Sequence, residues 1–271
     1  MPTVDEILKS GRVSPDYDPD QHLEAIKSLV ARLRVWQREC GERVKTSIDD
    51  CYVDACVDAT YADAACSHAI VGALAPFFEG MFHHEFAFLR FLFDGKRPAV
   101  KLYRRHDIAD DDIFWNPARY VEKDLGVSEK DNICVGTIQL TKSLGMDFPR
   151  QFFTVIEALF AYRNSALHGG YEWLKERRAK FKRLVESQKW TDWFAWAEAG
   201  GNPWIAYLTD AFVDECFAMA PAALDVFEQH RLDQLDKLPR PSNVPEWLLK
   251  YVADDHSLDE LRLFLRRRRS K

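Results

Sequence analysis

The stretch FTVIEALFAYRNSALHGGYEW, residues 153–173, decides how the chain is read. With Phe152 before it, Ile156, Leu159 and Ala166 recur at the i+3/i+4 spacing of a helix that buries one face. Gly169 and Gly170 supply the stop, because glycine accepts the left-handed conformation at little cost. Pro149 suits the first turn of this helix. Just before the glycines stand Arg163, Asn164 and His168, three groups for which an apolar core has little use.

Outward from this stretch, helical periodicity dominates. Asp20 is a candidate N-cap for a helix carrying Leu23, Ile26, Val30 and Leu33 on one stripe. A second helical region, about 44–66, leads into AIVGALAPFFEGMFHHEFAFLRFLF, residues 69–93. That segment is long and aromatic, but Glu79, His83, His84, Glu85 and Arg90 interrupt it, and a membrane span wants roughly 20 residues with few charges. It reads as a helix buried on most sides, restarted or kinked at Pro76. Between 94 and 147 the pattern weakens into an irregular insertion, with a possible strand at Ala99–Tyr103 and an acidic cluster, Asp107–Asp112, expected in a solvated loop. Residues 191–204 read as an aromatic-rich turn, with Trp190, Trp193, Trp196 and Trp204 better suited to packing than to base stacking. A helix over about 204–230 follows, which Pro221 is expected to split. KLPRPSNVP, residues 237–245, is a linker. Beyond it, Ser257–Glu260 has the form of a capping box, and the tail ends in Arg266–Arg269. The expected architecture is an all-α bundle over 1–236, with 237–271 as linker and basic C-terminal helix.

Composition narrows the function. The net charge of −6 gives no global attraction to nucleic acid, so a polyanion must be held by a local basic patch. KERRAKFKR, residues 175–183, provides one: Lys175, Arg177, Arg178, Lys180, Lys182 and Arg183 could hold phosphates. Arg266–Arg269 is a second basic run, of the kind that more often solubilises a chain end. The six cysteines form no CxxC pair, which fits reduced, buried thiols in a cytoplasmic protein. The N-terminus lacks a basic start followed by an apolar core, so no signal peptide is expected. No HExxH or Cys-His cluster and no glycine-rich phosphate loop occurs, and neither metal nor cofactor is expected.

On a continuous helix, Arg163 and His168 lie roughly 7.5 Å apart along the axis and about 140° apart around it. Fraying at the glycines would let His168 swing toward Arg163. An arginine at the edge of the buried face needs a carboxylate, a phosphate or water. Glu157 is badly placed, so the partner must come from another helix, another subunit or a ligand. Glu79 on the long apolar helix is a candidate.

Arg163-Asn-Ser-Ala-Leu-His168 resembles the Arg-x4–6-His motif of the HEPN superfamily, with the polar residue that usually follows the arginine. The resemblance covers about 45–95 and 148–230. It implies a compact helical bundle and a homodimer that brings two motifs into one cleft. It further implies a metal-independent endoribonuclease of the toxin or antiphage-defence type, with an antitoxin or regulatory protein as a further partner. In that chemistry the ribose 2′-OH attacks the adjacent phosphorus, giving 2′,3′-cyclic phosphate and 5′-OH ends. His168 suits proton transfer and Arg163 suits the phosphorane oxygens, while Asn164 could bond the ribose or orient His168, and Glu79 would support the cleft. The rival expectation is a non-catalytic module of the same fold that binds a partner protein or a nucleotide.

Overall fold

The computed structural model describes residues 18–48, 50–93, 95–122 and 126–237. The proline-rich linker, the capping box and Arg266–Arg269 lie outside them. The described chain is mostly helical. Its residues group into two compact units: Asp18–Glu79 with Arg150–Pro221, called the motif unit, and Gly80–Pro149 with residues 222–237, called the insertion unit. The segment read from sequence as an insertion, about 94–147, falls within the second of these units.

In the motif unit, α1 runs Pro19–Thr46. Its N-cap is Asp18 rather than Asp20: the Asp18 carboxylate accepts from the amides of Asp20 and Gln21 at 3.1 Å each, and Pro19 takes the first turn, where no amide is needed. Leu23, Ile26, Val30 and Cys40 form the buried stripe. Arg34 ties α1 to the start of α7 through Asp210 and Asp214, at 2.7 and 2.8 Å. The helix α2 is continuous over Asp50–Leu92, and Pro76 neither restarts nor ends it. Pro76 and Gly72, four residues before it, are both exposed. The carbonyl that loses its partner can therefore turn to water. Among the described residues α2 is the one helix long and apolar enough to cross a membrane, but 56% of its apolar window is buried inside the protein, which is compatible with a core helix of a soluble one.

The helix α5 spans Phe152–Gly169 and α6 spans Lys175–Gln188. The former starts three residues after Pro149, which lies outside it. Between α6 and α7 (Asp210–Lys237) the chain forms an antiparallel hairpin, β3 (Phe194–Ala199) and β4 (Asn202–Leu208), instead of the expected turn and early helix. Gly200 and Gly201 both have positive φ, 58° and 75°, as the two-residue turn of a right-twisted hairpin demands. Trp190 is buried, and Trp193 and Trp196 are half-buried against Phe212 and Phe181, so these three indoles pack. Pro221 does not split α7.

The insertion unit is built around a buried arginine. A 3-10 turn, Arg104–Asp107, is followed by α3 (Asp111–Trp115), a two-residue pairing of β1 (Val121–Glu122) with β2 (Gly126–Val127), and α4 (Ile133–Leu144). The strand expected at Ala99–Tyr103 is not formed. Arg105 has no solvent exposure, and its five N–H groups donate to five carbonyls, those of Ile113, Phe114, Asn116, Arg119 and Gly136. Burial without a carboxylate pushes its pKa down to about 9. Full satisfaction by carbonyl dipoles offsets the cost of burying the charge. Gly136 is required where α4 meets the 117–119 segment, since a Cβ there would lie 2.1 Å from the Pro117 oxygen. The acidic cluster is ordered by use: Asp107 pairs with Lys101, Asp111 with Arg97, and Asp112 with Arg90, while Asp110 caps α3. Glu85 pairs with Arg231 at 2.9 Å, and burial together with Arg231 pushes His84 down to about 4.

Candidate functional site

The helix α5 is held by its apolar face, in which Phe152, Val155, Ile156, Leu159, Tyr162 and Ala166 are all buried. Tyr162 fixes its rotation: the ring stacks on Phe194 at 5.6 Å and the hydroxyl donates to the Ala206 carbonyl at 3.0 Å. The next residue, Arg163, stands at the edge of the buried face. Its Nη1 donates to Glu79 Oε2 at 3.1 Å, and its guanidinium lies 5.4 Å from the Phe160 ring centre. The Arg163–Glu79 pair anticipated from the sequence is therefore formed. Both partners stay partly open, with side-chain exposures of 28% and 36%. Glu79 accounts for one hydrogen bond of the guanidinium; among the described residues the other donors have no partner.

Asn164 and His168 are exposed. The helix continues unbroken through Gly169, so the fraying expected to bring His168 toward Arg163 does not occur. Among the described residues no hydrogen bond joins His168 to Arg163 or to Asn164. Helical geometry keeps the two groups on different stripes of one turn-and-a-half.

The two glycines have separate reasons. A Cβ on Gly169 would lie 2.7 Å from Cδ1 of Trp173, so the indole occupies the space that only glycine leaves. Gly170 has φ 64° and ψ −149°, a region open essentially to glycine alone. Trp173, itself buried, returns a hydrogen bond from Nε1 to the Gly170 carbonyl at 2.9 Å. The bend between α5 and α6 is thus fixed on both sides.

The basic run divides. Arg177 donates to the Ser165 carbonyl at 3.4 Å, and Arg178 donates to the carbonyls of Pro203 and Trp204 at 3.0 and 3.2 Å. These two arginines, expected to hold phosphates, tie α6 to α5 and to the hairpin. Lys175, Lys180 and Arg183 are exposed and Lys182 is half-buried.

The bend also displays residues that sequence reading missed. The Tyr61 hydroxyl donates to Oε1 of Glu172, a bond that raises the Tyr61 pKa. Tyr61 meets Trp204 and Tyr171 edge to face, at 5.6 and 6.3 Å, and His68 meets Tyr171 at 4.7 Å. Burial pushes His68 down, away from its charged form. The signal available in the sequence was the Tyr-Glu pair directly after the glycines; nothing local pointed to Tyr61, more than a hundred residues earlier.

A separate recess of about 210 Å³ is lined by Cys40, Arg43, Ser47, Cys51, Asp54 and Asp58, and contains none of the motif residues. Among the described residues no group of three or more His, Cys, Asp or Glu side chains is placed to hold a metal ion. Comparison of the chain with family models, with curated proteins and with solved structures gave no match to any of the three.

Proposed function

We propose that the chain is a HEPN-like, metal-independent endoribonuclease, acting as a homodimer in the manner of a toxin or antiphage effector. The observation that carries this reading is the state of Arg163. Glu79 engages one side of its guanidinium, while Nε and Nη2 stay unpaired at a partly open surface, a fork suited to two phosphate oxygens. His168 and Asn164 are exposed on the turns that follow, able to reach a ligand laid across the end of α5. Cleavage would proceed by 2′-OH attack on the adjacent phosphorus, with the P–O5′ bond breaking and the proton passing to the leaving oxygen. His168 moves that proton, Arg163 stabilises the phosphorane oxygens, and Asn164 bonds the ribose or orients His168. Lys175, Lys180 and Arg183 hold flanking phosphates. A second copy of the motif in a dimer would bring an arginine and a histidine together across the cleft, which one helix alone does not do. A silencing protein partner and a cytoplasmic setting belong to the same reading.

The second reading, a non-catalytic module for a partner protein or nucleotide, is favoured by one observation: Arg163 already has a carboxylate, and His168 makes no bond with it. Incubating the protein with single-stranded RNA in EDTA separates the two. Cleavage to 2′,3′-cyclic phosphate ends, abolished in His168→Ala and in Arg163→Ala, is the expected result. Intact RNA with a folded, dimeric protein would shift the assignment to the binding module.

A further inference from the structure

The cluster at the α5–α6 bend is not explained by packing. Tyr171 is 40% exposed, and Tyr61 and Trp204 are half-buried, with the Tyr61 ring set edge to face against each of the other two. They stand on a rigid base: Gly170 and Trp173 fix the bend on either side of Tyr171 and Glu172. Rings that stay open on a fixed backbone offer stacking area at low entropic cost. Stacking on such rings is how single-stranded nucleic acid is held when its bases are unpaired.

The acid in the cluster selects among bases. Glu172 spends Oε1 on the Tyr61 hydroxyl, and its Oε2 accepts no hydrogen bond among the described residues. A carboxylate is acceptor-only, so it matches an edge that offers N–H groups. Guanine presents N1–H and the N2 amino group side by side. Adenine and cytosine each set an acceptor nitrogen beside their amino group, and uracil flanks its single N–H with two carbonyls. Each of those three places lone pairs against the carboxylate, a repulsive element that sharpens the choice.

We infer that Tyr171, Trp204, Tyr61 and Glu172 form a subsite for a single unpaired guanine, stacked on the rings and read through its Watson–Crick edge by the Glu172 carboxylate. The inference takes its ligand class, single-stranded RNA, from the function proposed above; its base preference comes from the cluster alone.

The test measures binding without cleavage. Calorimetric titration uses two five-nucleotide RNAs, one of adenosines only and one with a central guanosine, both 2′-O-methylated so that no 2′-OH can attack. The expected preference for the guanosine-containing strand is about tenfold, the value of one good paired edge. Glu172→Gln keeps an acceptor for Tyr61 but replaces the other oxygen with a donor, and should bring the two affinities within about twofold. Tyr171→Ala should weaken both strands by about tenfold through lost stacking. Both residues are exposed, and an unchanged melting temperature shows that the variants fold. Equal affinity of the wild type for the two strands, or a preference that survives Glu172→Gln, overturns the subsite. Guanosine preference with no cleavage of unmodified RNA supports the subsite and removes the nuclease; cleavage without base preference does the reverse.

Discussion

Replacing Gly136 with alanine adds one methyl group to the protein and should cost as much as truncating a large core side chain. The added Cβ would stand 2.1 Å from the Pro117 oxygen and 2.5 Å from the Arg119 oxygen, both backbone atoms that cannot rotate away. Relief to an ordinary carbon–oxygen contact of about 3.3 Å requires the 117–119 segment and α4 to part by about 1 Å. Those two elements supply the Arg119 and Gly136 carbonyls to Arg105, at 2.6 and 3.3 Å. Losing two hydrogen bonds to a buried cation, at about 1.5–3 kcal/mol each, sets the expected destabilisation at about 3–6 kcal/mol. Gly80→Ala is the control: Gly80 is helical, with nothing within 4 Å of the added carbon. It should stabilise by about 0.5–1 kcal/mol. Urea unfolding followed by circular dichroism reads both. A Gly136→Ala variant within about 0.5 kcal/mol of wild type, the range of an ordinary surface change, would refute the close approach and with it the account of Arg105.

Three further outcomes follow from the motif unit and from His84. Glu79→Gln should lower stability by only about 1 kcal/mol, because both partners are partly solvated, and a double-mutant cycle with Arg163→Met should return a coupling of that size. Under the nuclease reading the same variant lowers cleavage more than it lowers stability, since Arg163 loses its orientation; equal RNA cleavage by wild type and Glu79→Gln would count against a supporting role. Gly170→Ala should cost about 1–3 kcal/mol from backbone strain, and Gly169→Ala should also displace Trp173, seen as a shift in tryptophan fluorescence. His84, held near 4 in the folded protein against an ordinary 6.5, adds nothing to the pH dependence above 6.5. As pH falls from 6.5 toward 4 the unfolded chain takes up a proton that the folded one refuses, so stability declines across that window. The loss is about 2–3 kcal/mol, partial exposure considered, and is flattened in His84→Gln.

The helices were legible because their apolar residues repeat at helical spacing and are bounded by glycine. The stripe of α1 and the buried face of α5 fall where that spacing puts them. The β3–β4 hairpin was missed although its signal was present: Phe194 and Trp196 alternate toward a Gly-Gly pair, the pattern of a two-residue turn. Tryptophan density obscured it, since four indoles read equally well as a packed turn. Of the two outcomes expected at Pro76, a restart of the helix is not formed: α2 runs on past it, with the carbonyl freed at exposed Gly72 open to water. At the site, Arg163 and Glu79 were legible as an ion pair because a half-buried arginine must find an acid. The division of the basic run was not, since sequence does not say which arginines face a carbonyl and which face water. Tyr61 and Glu172 are brought together by tertiary packing that no local pattern records.

Arg105 can also be seen as a guanidinium ion on a tether. Its five carbonyl partners come from Ile113 to Gly136, and together they form a cage whose shape is that of the ion and whose only anchor is a three-carbon stem. Cut the stem, as Arg105→Ala does, and the cage is left with five inward oxygens and a hollow of the right size. Free guanidinium, elsewhere a denaturant, should then act as a ligand of the folded variant, and by mass action its first effect on that variant should be to raise the melting temperature.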